Sequence, residues 1–293
     1  MKSGFIVLVG RSNVGKSTLI NTLVGTKIAA TSFRAQMTRH AIQGAMNMPA
    51  FTNKLGEEVP EGQAVFIDTP GIFKDKKNPL SAKLTQKASQ ALQGVDLIIY
   101  VVDPTREIGQ EERAVYGMIR HLDIPKILVM NKSDLSPKER AHAKSYEMWG
   151  PDFESVFSLS ALKASHITPL KQKVMELLPE GEIMYPEKQL TNVDKKFWIS
   201  EIIREKVFSI LNKEVPYSVT VEVDEVEEKK DITVIKARVL TNADRYKRMI
   251  IGKGASTIKE IGKLARKELE QATNHKVFLE LEVEVDTHWI ERI

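Results

Sequence analysis

The sequence predicts a chain of two domains, an α/β domain on a largely parallel sheet followed by a smaller α+β domain. Three observations predict it. Through the first 180 residues, short and almost continuously apolar runs alternate with amphipathic stretches, the pattern of strands covered on both faces by crossover helices. Near residue 190 the pattern changes to helix, two alternating strands, two helices and a strand. At 293 residues, with 42% hydrophobic and 28% charged side chains, the chain is long enough to bury two cores.

Within the first domain, placed at residues 1–180, strands are expected at 5–9, 64–67, 97–102, 126–130 and 155–159. Helices are expected at 16–24, 81–93, 110–121, 137–149 and 169–178. The last has a marked start, with Thr168 as N-cap and Pro169 at the first helical position, and Pro179 and Gly181 end it. An apparent insertion over 47–63 reads as an extended hairpin. Residues 181–193, entered through a stretch of Pro, Gly and Glu, read as a linker. The second domain, 194–293, opens on a helix over 194–212 with apolar Phe197, Trp198, Ile202, Val207, Ile210 and Leu211. Segments 217–226 and 232–240 alternate at period two around a polar turn, as a hairpin does. Two helices joined at 250–255 follow, then a strand over 277–285 whose Glu280, Glu282 and Glu284 face water.

The absence of cysteine excludes disulfides and cysteine-ligated metals and fits a reducing cytoplasm. The apolar run 5–9 is too short for a signal peptide, and no run of about 18 apolar residues predicts a membrane span. Peripheral contact with the inner face of the cell membrane is left open, and a monomer is expected. The net charge of +4 hides a sharper distribution: from Arg245 to Lys267, eight basic residues face one acidic residue, Glu260, a local +7. That segment reads either as a site for a polyanion or as a solvated helix face.

Gly10-Arg11-Ser12-Asn13-Val14-Gly15-Lys16-Ser17 follows a buried strand and opens a helix, the setting in which G-x-x-x-x-G-K-[ST] forms a phosphate loop. Glycines let the backbone wrap phosphate so that successive N–H groups, and the helix N-terminus behind them, point at its oxygens. Lys16 is expected to bridge the outer phosphates, Ser17 to offer its hydroxyl to Mg²⁺, and Thr18 to continue the cradle. Asp68-Thr69-Pro70-Gly71 ends the 64–67 strand, where the carboxylate reaches the metal through water and the Gly71 N–H meets the γ-phosphate. Asn131-Lys132-Ser133-Asp134 also ends a buried strand. The Asp134 carboxylate accepts two hydrogen bonds from the N1–H and exocyclic amine of guanine, a pattern that adenine lacks. Asn131 would brace the loop, the Lys132 stem would cover one face of the ring, and Ser160-Ala161 would offer a backbone N–H to the guanine carbonyl.

These elements in this order resemble the translation-factor-like class of small GTPases. Over essentially its whole length the chain is similar to the Era family, in which a P-loop NTPase G domain precedes a C-terminal type II KH domain. In the second domain the resemblance rests on Glu201-Ile202-Ile203-Arg204-Glu205-Lys206, Val215-Pro216-Tyr217-Ser218-Val219 and Ile250-Ile251-Gly252-Lys253-Gly254. It implies that Gln36-Met37-Thr38-Arg39-His40 is the first switch, with Thr38 joining Ser17 and Asp68 at the metal. Lys16, Thr38, Gly71 and Asn13 then serve hydrolysis. Asn13 is placed to help hold K⁺ near the phosphates in place of an arginine finger, or it is a plain turn residue. Ile72 stands where Ras-like enzymes place a water-orienting glutamine, so a low intrinsic rate is expected.

The resemblance also implies that the RNA is the single-stranded 3′ end of 16S ribosomal RNA, and the process assembly of the 30S subunit. The RNA would lie along Ile251, Gly252, Lys253, Gly254 and Ala255, framed by Arg245, Lys247, Arg248, Lys259 and Lys263. Three residues depart from the family pattern: Ser12 for a proline, Met37 for a threonine, and Ala255 for the second glycine of the KH loop. Two alternatives stand beside this reading: a related GTPase acting on another RNA, in tRNA modification or large-subunit assembly, and a non-hydrolysing RNA-binding scaffold.

Overall fold

The computed structural model describes residues 1–30, 42–69, 86, 90–186, 189, 191–211 and 215–292. The chain divides into two compact units: of the described residues, 1–29 and those of 42–192 fall in the first, and Ala30 and those of 193–292 in the second.

In the first unit β1 (Lys2–Val9), β2 (Ile42–Met48), β5 (Gly62–Asp68), β6 (Leu97–Val102), β7 (Lys126–Met130) and β8 (Ser155–Ser158) form one sheet, in the order β2-β5-β1-β6-β7-β8. All neighbours are parallel except β2, which runs antiparallel to β5. The central strands are apolar without interruption because both faces are covered; every residue of β6 is fully buried. Helix α1 (Lys16–Val24) buries Leu19, Ile20 and Leu23, and α2 (Gln110–Ile119) packs Val115 and Ile119 on Val7, Ile98, Tyr100 and Leu128. The register sets Leu8 beside Asp68 and Val102 beside Met130. The carboxyl ends of β1, β5, β6 and β7 therefore open side by side, the crevice in which α/β sheets bind ligands.

Two expected helices differ in the structure. Over 137–149 only α3 (Ala143–Glu147) is α-helical. The His142 N–H donates to Pro104 O at 3.2 Å rather than to the preceding turn, which interrupts the helical ladder. Helix α4 (Ile167–Leu177) starts two residues before Pro169, with His166 in the left-handed region (φ 59°) as its N-cap. The paired bonds between Ser160 and Ser165 turn the chain early, and at the third helical position Pro169 still lacks only an N–H that the helix would leave unpaired. Of the helix expected at 81–93, most lies outside the described residues.

The 47–63 segment forms a hairpin: β2 and β5 pair antiparallel, and beyond them two short strands, β3 (Phe51–Thr52) and β4 (Glu58–Val59), close on a turn braced by the Asn53 side chain. Residues read as linker are tied to this unit. Buried Gln63 accepts from the Met184 and Tyr185 N–H groups and donates to Tyr185 O, each at 2.9 Å, and Thr191 Oγ1 donates to Gln43 O at 2.7 Å.

The second unit begins with α5 (Lys195–Ile210), capped by the Asp194 carboxylate, which accepts from the Lys196 and Phe197 N–H groups. Strands β9 (Val219–Glu228) and β10 (Ile232–Thr241) form the antiparallel hairpin, and β11 (Lys276–Val285) joins β10 in parallel. Between them come α6 (Asp244–Ile251) and α7 (Ser256–Thr273). Ile202, Ile203 and Val207 of α5 meet Val239 of the sheet and Ile261, Ala265 and Leu269 of α7 in one core. On β11, Val277 is buried while Glu280 and Glu282 stay exposed.

Candidate active site and nucleic-acid interface

Residues 10–17 leave β1 and enter α1 as a tight loop. A side chain at Gly10 (φ 154°) would meet Val101 O at 2.4 Å, and one at Gly15 (φ 101°) would meet Asn131 Nδ2 at 2.2 Å, so neither position admits another residue without strain. The Lys16 ammonium, 6% exposed, donates to Gly10 O and Arg11 O, both at 3.0 Å. Burial lowers its pKa to about 8, against the opposing pull of Asp68 and Glu112. Ser17 Oγ donates to Asp68 Oδ2 at 2.6 Å, and Asp68 is fully buried at the end of β5. Thr69 Oγ1 donates to Leu8 O at 2.7 Å, which fastens that strand end to β1. Asn13 takes a left-handed φ of 64°, and Val14 is buried beneath the loop. Ser12 and Thr18 complete the loop and the first helical turn.

Arg11 is bound differently from a phosphate ligand. Its Nε lies 2.8 Å from Glu112 Oε1 on α2, and Tyr100 Oη donates to Glu112 Oε2 at 2.8 Å. Burial pushes the Glu112 carboxyl upward, against the Tyr100 hydrogen bond and the charge of Arg11. Toward Lys16, Arg11 offers its backbone carbonyl. Sequence reading passed over Glu112, although it shares the buried stripe of α2 with Val115 and Ile119, and an acid on such a stripe requires a partner.

Across the crevice, Asn131 joins two loops. Its Nδ2 donates to Val14 O at 2.8 Å and its Oδ1 accepts from the Ala161 N–H at 2.9 Å. Lys132 holds a left-handed φ of 65°, with Nζ 2.6 Å from Asp103 Oδ2. The Ser133 N–H donates to Leu159 O, and Asp134 is exposed at the mouth. Ser160-Ala161 lies beside Asn131 at the same end of the crevice. The Ser160 amide bonds Ser165 O and the Ala161 amide bonds Asn131, so both are engaged within the protein. The next amide, at Leu162, has no intramolecular partner among the described residues. Thr38, Pro70 and Gly71, like the rest of the first switch and Ile72, lie outside the described residues.

In the second unit α6 ends at Gly252, where φ is 73° and a Cβ would meet Thr257 Oγ1 at 2.2 Å. Gly254 (φ 60°) and Ala255 (φ 60°, ψ 24°) are both left-handed, which delivers the chain into the N-terminus of α7. Arg248, Lys253, Lys259 and Lys263 are exposed and Lys247 partly so, and none is paired with a carboxylate among the described residues. Arg245 lies over the Tyr246 ring at 4.4 Å. Ile251 is partly buried at the helix end. On the outer sheet face, by contrast, cations are neutralised: Arg238 meets Glu222, Asp224 and Glu284, and Lys236 meets Glu225.

Residues 5–132 match the family described as 50S ribosome-binding GTPase, and residues 214–290 match the KH domain family. GTPase Era of Halothermothrix orenii is 37% identical over 292 residues, spanning 99% of this chain and 95% of that protein. The chain belongs to the Era family of GTPases. It is a GTP hydrolase with a P-loop G domain and a C-terminal KH domain. GTPase Era of Geobacter sp. (strain M21) is 40% identical over 98% of this chain and 94% of its own length. Among solved structures, Era in complex with MgGDPNP and nucleotides 1506–1542 of 16S ribosomal RNA matches with a TM-score of 0.88 at 34% identity, covering 100% of this chain and 96% of that one. A single-site variant of Aquifex aeolicus Era bound to GDP and aluminium fluoride gives the same values.

Proposed function

We propose that the crevice at the head of the sheet binds Mg·GTP, with Lys16, Ser17 and Asp68 at the phosphates and Asp134 at the base. We further propose that the KH unit binds the single-stranded 3′ end of 16S ribosomal RNA during 30S assembly. The observation that carries the first part is the buried Lys16 ammonium, which donates to two carbonyls of its own loop, an arrangement suited to receiving phosphate oxygens. Ser17 and Asp68 bring two hard oxygen donors together. No cluster of three or more His, Cys, Asp or Glu side chains that could hold a metal stands among the described residues. That set fits magnesium, which takes few protein oxygens and completes its shell with phosphate and water. When bound, the ion neutralises phosphate charge. The chain's own part is to fix the phosphates with loop amides and Lys16 for in-line attack by water, with Thr38 and Gly71 completing the site. Ser160-Ala161, with the adjoining Leu162 amide, is proposed to supply the backbone donor to the guanine carbonyl.

Asn13 is proposed to help hold K⁺ beside the phosphates. GTP hydrolysis in KCl is then faster than in NaCl at equal ionic strength; equal rates reduce Asn13 to a turn residue.

The RNA reading rests on the cluster of unpaired cations beside the left-handed loop, and it draws on the similar structure that holds 16S nucleotides. The matched G-domain family is described by 50S binding, which favours a large-subunit role as the second reading. That match ends at residue 132 and excludes the KH unit, so the RNA-binding part of the chain favours the small-subunit reading. Reversing both charges, Lys247→Glu with Lys253→Glu, is expected to weaken binding of a 16S 3′-end oligonucleotide. It should also reduce the salt slope, by roughly 0.7 for each phosphate no longer neutralised. Fluorescence anisotropy across a salt series checks this, and an unchanged affinity and slope rule out the loop as the RNA site.

A further inference from the structure

Strand β6 ends at Val102 and places the next residue, Asp103, in the crevice, 1% exposed. Because β6 and β7 are adjacent and parallel, and the Asn131 N–H donates to Val102 O at 3.0 Å, Asp103 stands beside the loop that carries Lys132. One carboxylate oxygen accepts from the Thr105 N–H at 3.0 Å and the Thr105 hydroxyl at 2.7 Å. The other accepts the Lys132 ammonium at 2.6 Å, with the half-exposed Arg106 Nε at 3.8 Å. Burial works to raise the Asp103 pKa, but the hydrogen bonds from Lys132 and Thr105 prevail and hold it below the ordinary carboxylate range.

A lysine stem is long and loses considerable rotamer freedom when fixed. One that must lie flat against a ring therefore gains from an anchor at its tip that is formed before the ring arrives. Lys132 has that anchor while its side chain stays 33% exposed, so the methylene stem is held yet open on one side. We infer that Asp103 is a positioning residue for guanine, setting the plane of the base through Lys132 while Asp134 reads its edge. This rests on the proposed reading of Lys132 as the cover of the ring. It also separates the two carboxylates by chemistry. Removing the charge of Asp103 weakens every nucleotide that stacks on Lys132 by one factor, whether or not the base carries the exocyclic amine.

The test is calorimetric titration of the full chain with GDP and with IDP, whose hypoxanthine lacks that amine. The proteins are wild type, Asp103→Asn, Lys132→Met and the double variant. Asp103→Asn keeps an acceptor for Thr105 and is expected to weaken both nucleotides roughly tenfold, the scale of one hydrogen bond to a charged group. Lys132→Met should cost a similar factor, and the double variant no more than either single one. Wild-type affinity in Asp103→Asn beside a weakened Lys132→Met overturns the inference. So do losses that multiply in the double variant, or a changed ratio of GDP to IDP affinity. Unchanged affinity in Lys132→Met overturns the reading of Lys132 itself, and the inference with it.

Discussion

Lys16 shows how much of the chemistry is set by one buried charge. Burial desolvates its ammonium and, against the pull of Asp68 and Glu112, lowers its pKa to about 8. Phosphate oxygens favour the charged form, so in the complex the proton stays on. As pH rises through about 8 the free protein loses that proton while the complex keeps it, and binding must then take one up. Nucleotide affinity is therefore expected to be flat below about pH 8 and to fall by up to about tenfold per pH unit above it. Titration of GDP from about pH 7 to about pH 9 checks this, and a level profile contradicts the assigned environment. The residues missed in the sequence belong to this scale as well. Glu112 and Asp103 act through side chains brought together only by folding: Glu112 meets Arg11 from a later helix, and Asp103 meets Lys132 from the neighbouring strand. Their partial signals were an acid on a buried helix stripe and an acid directly after a fully apolar strand.

At the scale of elements, the turn between α6 and α7 carries the clearest mismatch between residue and conformation. Ala255 is held left-handed, where an L side chain crowds its own backbone at a cost of about 1–2 kcal/mol. Ala255→Gly removes that strain but adds backbone freedom to the unfolded chain, so a net gain of about 0.5–1 kcal/mol in the KH unit is expected. Urea denaturation measures it. The same change removes a methyl group from the loop surface, and RNA affinity should rise with stability; a loss of both contradicts the assigned conformation. Element boundaries were legible where periodicity and glycine agreed, as for α1 and β6, whose bounds match the expected ones. They were not legible where a distant group captured the backbone. Pro104 O takes the His142 N–H and breaks the helix expected at 137–149. The Ser160–Ser165 pairing starts α4 ahead of its proline. Gln63, read only as the edge of an insertion, fastens Met184 and Tyr185, residues that composition marks as linker.

At the scale of the molecule, one chain joins a crevice that selects a nucleotide to a separate unit with an uncancelled basic surface. The division of labour was legible because each half carries its own pattern: a glycine loop between strand and helix in one, cations flanking a helix–helix junction in the other. The inner wiring of the crevice was not, since Asn131 ties Val14 to Ala161 across 117 and 30 residues of sequence. Whether this crevice holds a triphosphate at Lys16 and chooses guanine at Asp134 is decided by titrating wild type and Asp134→Asn with GTP, XTP and ATP. Wild type is expected to bind GTP and to reject ATP by a factor of about 10⁴ or more, because the wrong base leaves the polar site unpaired. Asp134→Asn is expected to exchange GTP for XTP. Comparable binding of ATP and GTP by the wild type, or a variant whose preference does not move, refutes the assignment of both ends of the crevice.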